Sequence, residues 1–259
     1  MTLGLFPLFC TTTASTSWHE HHLPFTSKKW FLSEYLSSST FFGKLYFMKR
    51  FLIFLMLICA GGCAHKNPLS EMRFQTVMAP PFVLSSWYKI NAPTEPVKFY
   101  IEGAGTPNPE TTLMRELAGK DRYANVVYVA LPCQYGLEMG CQAPVSVAQT
   151  TDAVNQVVRT MMKKARSDKM AFVGYDIGAD AAARLSVKYE PNVVRYTSVA
   201  GVFEQSPDIS FVRVPQKHYV GDKDPSVRLP AITPSDTIVR VKGATHTSGY
   251  KSVYKYIQN

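Results

Sequence analysis

The stretch MAFVGYDIGADAAARLS, residues 170–186, decides how the chain folds. Its opening is apolar or small with no polar alternation, the pattern of a strand covered on both faces. Gly174 and Gly178 bracket a tight turn, and the alanine-rich run after them has the composition of a helix. A strand is therefore predicted to turn sharply into a helix, with Asp176 at the point of the turn. In a parallel sheet that point is where ligands are met, because strand C-termini and helix N-termini converge there. The residues on either side must explain why an acid occupies it.

Working outward, the same alternation recurs. NVVYVALP (125–132) is another nearly continuous apolar strand. Ser146 and Gln149 form a capping box ahead of Val154, Val157, Val158, Met161 and Ala165 at helical spacing. Asn108, Pro109 and Glu110 signal a helix start, with the helix ending near Gly119. The helix after Asp176 runs from Ile177 to about Tyr189, before Pro191. VVRYTSVAGV (193–202), QKHYVGD (216–222) and TIVRVKG (237–243) supply later strands, and YKSVYKYI (250–257) a closing helix. Upstream, FVLSSWYKI (82–90) and VKFYIEG (97–103), separated by the turn NAPTEP, are expected to pair as antiparallel neighbours. The fold class is α/β, a mostly parallel sheet flanked by helices on both faces.

Loops after strands carry the candidate chemistry. They are IEGAG (101–105), whose glycines let backbone N–H groups approach a ligand, the turn at Asp176, VGDKDPSV (220–227) with Asp222 and Asp224, and KGATHTSG (242–249) with His246. His218 lies mid-strand and is expected to pack or face solvent rather than react.

The order turn residue, acid, histidine, on strand–turn–helix spacing, resembles the α/β-hydrolase family. A narrower resemblance is to small bacterial hydrolase-like lipoproteins without a cap domain, carried by YIEGAG, PCQY, VGYD, PQKHYVGDKD and GATH over nearly all of residues 98–250. The resemblance implies that Asp224 orients His246, with Asp222 as the alternative acid. It implies that His246 is the base and that the backbone N–H groups of Ala104 and Ile177 form an oxyanion hole. No cofactor and no metal is implied. The departure is Asp176, where the family has serine.

A carboxylate has no hydroxyl proton to give, and acids on both sides of a histidine favour its charged form. Three readings follow. Asp176 attacks carbon directly, as aspartates do in haloalkane dehalogenases and epoxide hydrolases, although those enzymes use a cap, and only about a dozen residues separate SVAGV from QKHYVGD. Alternatively, esters or amides are cleaved by an altered route, with the carboxylate as base for a water. In the third reading Asp176 is a helix N-cap and the fold is a catalytically inactive binding or envelope protein.

The N-terminal third reads differently. Residues 1–47 lack a sustained period and are expected to be a disordered upstream extension. Their cluster of His19, His21 and His22 is a compositional signal rather than a metal site. From Met48, Lys49 and Arg50 precede the apolar run FLIFLMLICA and then Gly61, Gly62 and Cys63, the layout of a secretory signal over residues 48–62, too short to span a bilayer. AGGC resembles a bacterial lipobox, with Ala60 where leucine is commonest, which implies that Cys63 is lipidated. The protein is then exported and held in the bacterial cell envelope, facing the periplasm. Residues 63–81 are expected to be a polar tether and residues 82–259 the domain. Export to an oxidising compartment predicts a bridge between Cys133 and Cys141, the alternative being two unlinked thiols. The whole chain has a net charge of +9, and after Cys63 the positive charge is modest and scattered, with no basic block suited to nucleic acid. The expected partners are a small-molecule substrate or ligand and, through the lipid, a membrane.

Overall fold

A computed structural model describes residues 67–104, 112–134, 145–204, 211–230, 233–234 and 237–259. The strands are β1 (Arg73–Ala79), β2 (Phe82–Ile90), β3 (Val97–Ile101), β4 (Asn125–Val129), β5 (Met170–Tyr175), β6 (Val193–Val199), β7 (Gln216–Gly221) and β8 (Ile238–Val241). The helices are α1 (Leu113–Lys120), α2 (Val147–Ala165), α3 (Ile177–Lys188) and, after a 3-10 turn at Tyr250–Val253, α4 (Tyr254–Gln258). The eight strands form one sheet in the order β1-β2-β4-β3-β5-β6-β7-β8. β2 runs antiparallel to β1 and β4, while the pairings among β3 to β8 are all parallel.

β3, β4 and β5 are buried at every position, as continuous apolar runs require. α2 and α3 cover one sheet face through Val154, Val157, Val158, Met161, Ala179, Ala182 and Leu185. On the other face α1 and α4 close over Tyr100, Val126, Tyr128 and Val173 through Met114, Leu117 and Ile257. The capping box at Ser146 and Gln149 is formed, which explains why α2 starts at Val147.

Three expectations are corrected. β1 lies within the stretch expected to be a tether, and Leu69 and Met72 are buried, so the folded part begins well before Phe82. Polar residues at 73, 75 and 76 mask a strand whose inward positions, Val77 and Ala79, are apolar. β2 and β3 are not neighbours, because β4 lies between them. A strand buried along its whole length belongs in the middle of the sheet, and the 91–96 connection carries β3 one place beyond the next strand. Finally, α1 starts at Leu113, with Thr112 as its N-cap, its hydroxyl accepting from the Arg115 N–H. The Asn108 start signal lies outside the described residues.

At the end of β3 away from the candidate site, the buried Lys98 ammonium is 3.1 Å from Asp121 Oδ2 and also donates to the backbone carbonyl of Gln258. The Tyr100 hydroxyl donates to the same Asp121 carboxylate at 2.5 Å. A buried charge persists only when paired and hydrogen-bonded in this way.

Candidate active site

The turn at Asp176 is shaped by its glycines. A Cβ on Gly174 would lie 2.4 Å from the Gly178 carbonyl oxygen, and one on Gly178 would lie 2.1 Å from that of Glu102. Only glycine lets β5 and α3 meet so closely, and the closure puts Asp176 at φ 52, ψ −126. That conformation is costly for a residue with a side chain, by roughly 1–3 kcal/mol, and persists only where the surroundings enforce it. The Asp176 N–H donates to Val199 O, and Asp176 O accepts from Ala179 N and Val202 N, so the peptide units on both sides are fixed.

Asp176, Asp224 and His246 lie together at one rim of the sheet. His246 Nδ1 is 2.9 Å from Asp224 Oδ2, and His246 Nε2 is 3.5 Å from Asp176 Oδ1. The other Asp224 oxygen accepts from Ser226 N. Asp222 is turned away and braces the neighbouring turn, accepting from Gly243 N at 2.7 Å. The Tyr175 hydroxyl donates to the His246 carbonyl at 2.9 Å, steadying the histidine loop against β5.

Asp176 makes no helix-capping bond from its side chain, and its backbone is outside the extended region that N-caps adopt. Its carboxylate has other partners. The Ala104 N–H donates to Oδ2 at 3.0 Å, and the Ile177 N–H lowers the pKa of the same carboxyl. The Ala104 amide, expected from the sequence to be half of an oxyanion cradle, thus already holds an anion, the side chain of Asp176 itself. Burial pushes the Asp176 carboxyl above the usual carboxylate range; the Ile177 N–H, the His246 charge and the Ala104 N–H oppose that, and Asp224 adds to it.

Glu102 was passed over in the sequence. It is fully buried beside the cradle, accepting from Gly103 N and from the Tyr128 hydroxyl, both at 3.0 Å, and from the Thr112 hydroxyl. Burial raises its pKa, with a smaller contribution from Asp176. Gln134, in the PCQY motif, donates from Nε2 to Gly103 O at 2.5 Å. Both side chains therefore fix the loop that presents the Ala104 N–H. The sequence signal for both is the pairing of YIEG with PCQY.

His218 takes no part. It is 2% exposed, with Nδ1 2.7 Å from Ser198 Oγ and Nε2 3.2 Å from Gln216 Oε1, and burial pushes its pKa down to about 4. The unfolded chain binds a proton at this residue below about pH 6.5, whereas the folded chain does not until about pH 4. Stability should therefore fall as the pH drops through that window, by about 3 kcal/mol for this residue. Urea unfolding of His218→Gln beside the unsubstituted protein at pH 7 and pH 4.5 checks this, with a smaller loss expected in the variant.

Cys133 is disulfide-bonded. Cys141 lies outside the described residues, as do Cys63 and the histidines at 19, 21 and 22. No group of His, Cys, Asp and Glu able to hold a metal occurs among the described residues.

Solved structures with this architecture are similar at low identity. An α/β serine hydrolase homologue from Coxiella burnetii aligns at 15% identity and a TM-score of 0.53, over 72% of this chain and 93% of that one. An α/β serine hydrolase without a lid from Xanthomonas campestris aligns at 17% and 0.54, over 73% and 93%. The esterase Pf2001 of Pyrococcus furiosus aligns at 14% and 0.55, over 73% and 92%. No protein-family model and no curated protein matches the chain. The likeness shows the fold, that of the α/β hydrolases, and the strand order agrees with it.

Proposed function

We propose that the protein is an exported, lipid-anchored hydrolase in which Asp176 attacks an electrophilic saturated carbon, His246 activates water and Asp224 orients His246. The observation that carries this reading is the division of labour between the two Asp176 oxygens. Oδ2 is held by the Ala104 N–H, while Oδ1 faces His246. Attack by Oδ1 forms a carbon–oxygen bond and releases the leaving group with its electron pair. The resulting ester keeps its carbonyl oxygen in the cradle. His246 then takes a proton from water as the water oxygen adds to the Asp176 carboxyl carbon, and the two amides stabilise the oxyanion. Collapse expels the alkoxide, which recovers the proton from His246; the acid left at Asp176 then passes its remaining proton through His246 to solvent and returns as a carboxylate. The charge that opposes a histidine base is absent during the hydrolytic half, because Asp176 is then an ester. The connection from Val199 to Gln216 is too short for a lid carrying leaving-group donors, so the substrate must have a leaving group that departs without one.

A second reading has its own support. Nε2 to Oδ1 at 3.5 Å is too long for a hydrogen bond, and an acyl substrate finds the cradle already filled. A non-catalytic binding or envelope protein would present the same arrangement. A panel of haloalkanes, epoxides and short-chain esters separates the two. The hydrolase reading expects turnover that is lost in Asp176→Asn, and a mass increase on the peptide containing Asp176 when His246→Ala is incubated with the substrate. Absence of turnover across the panel and of any adduct favours the binding protein. Where turnover occurs, the acid limb of its pH profile should lie above that of an exposed aspartate, since burial raises the Asp176 pKa and only the carboxylate attacks.

The anchor is proposed from the AGGC sequence. Cys63→Ser should move the protein from the membrane to the soluble fraction, and unchanged fractionation counts against lipidation. A bridge between Cys133 and Cys141 should leave neither thiol reactive in the denatured, unreduced protein.

A further inference from the structure

Phe74 and Met78 project from β1 on the same sheet face, and they are 53% and 69% exposed. α2 packs against β1 and β2 from the opposite face, while α1 lies over β3 and β4. The register places Phe74 opposite Trp87 and Met78 opposite Val83, so these side chains share one face at the sheet edge. Two large apolar side chains at the open end of a sheet face call for a specific covering.

Asn67, where the described chain begins, lies beside this face. Asn67 Oδ1 accepts from Arg115 Nη2 at 2.8 Å and from Leu69 N at 3.0 Å. The Arg115 guanidinium lies 5.4 Å from the Trp87 ring centroid, and the Trp87 and Phe74 ring centroids are 4.9 Å apart. Asn67, Arg115, Trp87 and Phe74 thus form a contiguous series of contacts from the entry of the chain to the exposed patch. From Cys63 to Asn67 the chain reaches at most roughly 14 Å, even fully extended. A lipid on Cys63 therefore holds Asn67 within a short reach of the bilayer surface.

We infer that the face formed by Phe74, Met78 and Trp87 rests on the lipid surface, inserting Phe74 and Met78 at the level of the headgroups. The inference builds on the anchoring of Cys63 and adds an orientation to it. A short tether fixes which side of the domain meets the bilayer, and the apolar side chains there reduce the cost of that contact. A second copy of the chain pairing along the β1 edge is the competing occupant.

Trp87 provides the probe. The lipidated protein beginning at Cys63, in which Trp87 is the only tryptophan, is reconstituted into phosphatidylcholine–phosphatidylglycerol vesicles with and without brominated acyl chains. Expected are co-sedimentation with the vesicles, quenching of Trp87 by the brominated lipid, and loss of that quenching in Phe74→Ser/Met78→Ser and in the milder Met78→Ser. Each variant is scored as its own ratio of emission with and without bromine, which removes any direct effect of Phe74 on the indole. Protein that sediments with Trp87 unquenched, or that self-associates with Trp87 unquenched, overturns the orientation and leaves the anchor intact. If Cys63→Ser still sediments and is quenched, the anchor reading falls and the lipid-facing surface stands. If the protein with Cys63 intact does not sediment, both fall.

Discussion

Asp176→Ser should convert a protein inert to fluorophosphonates into one that they label, with a rate gain on the order of 10³-fold or more. Shortening the side chain removes the carboxylate from the Ala104 amide and leaves the cradle open for the phosphonyl oxygen. The new hydroxyl would sit on the same constrained turn, near His246, whose Nδ1 is already held by Asp224. All other parts of a serine nucleophile's machinery would therefore be in position, and the added proton is the one that the carboxylate lacked. Intact-mass analysis reads the adduct directly, and His246→Ala in the same background should abolish it. A folded Asp176→Ser protein that takes no label would show that the rim is not assembled as described.

Gly178→Ala should be among the most destabilising single substitutions, costing about 3 kcal/mol or more and lowering the soluble yield. The added methyl would lie 2.1 Å from the Glu102 carbonyl oxygen and 2.8 Å from that of Ile101. Both are backbone atoms of the central strand end, so no side chain can swing aside. The first turn of α3 would have to lift from β3, separating Ile177 N from Ala104 N and dismantling the cradle. Thermal unfolding beside Gly243→Ala provides the control, because at Gly243 the space is open and only its positive φ of 75 opposes the methyl.

β4, β5 and α2 were legible because burial on both faces leaves an unbroken apolar run and a capping box leaves paired polar residues at fixed spacing. β1 was not, since an edge strand buries alternate positions and Arg73, Gln75 and Thr76 read as a linker. Strand order escaped as well, because adjacency along the chain suggested a β2–β3 pair where β4 intervenes. At the site, the order of residues 176, 224 and 246 was enough to bring them together, and Asp224 rather than Asp222 meets the histidine. The orientation of the Asp176 carboxylate was not legible. A helix cap and an occupied cradle differ only in which N–H groups reach the oxygens, and that depends on where the distant loop at Ala104 lies. Glu102 escaped for a related reason: its three donors come from residues 103, 112 and 128 and converge only in the fold.

α1 has a further consequence, mechanical in kind. Asn67 is tied to Arg115, Tyr254 to Glu116 and Gln258 to Leu117, so both ends of the folded chain are fastened to this one short helix. At its leading end Thr112 is fastened to Glu102 and so to the loop of Ala104. Tension applied between the two ends of the domain, as when a tethered protein is dragged, enters through α1. The load reaches the reactive rim along Thr112 and Glu102, while the Lys98 bond to Gln258 passes part of it to β3.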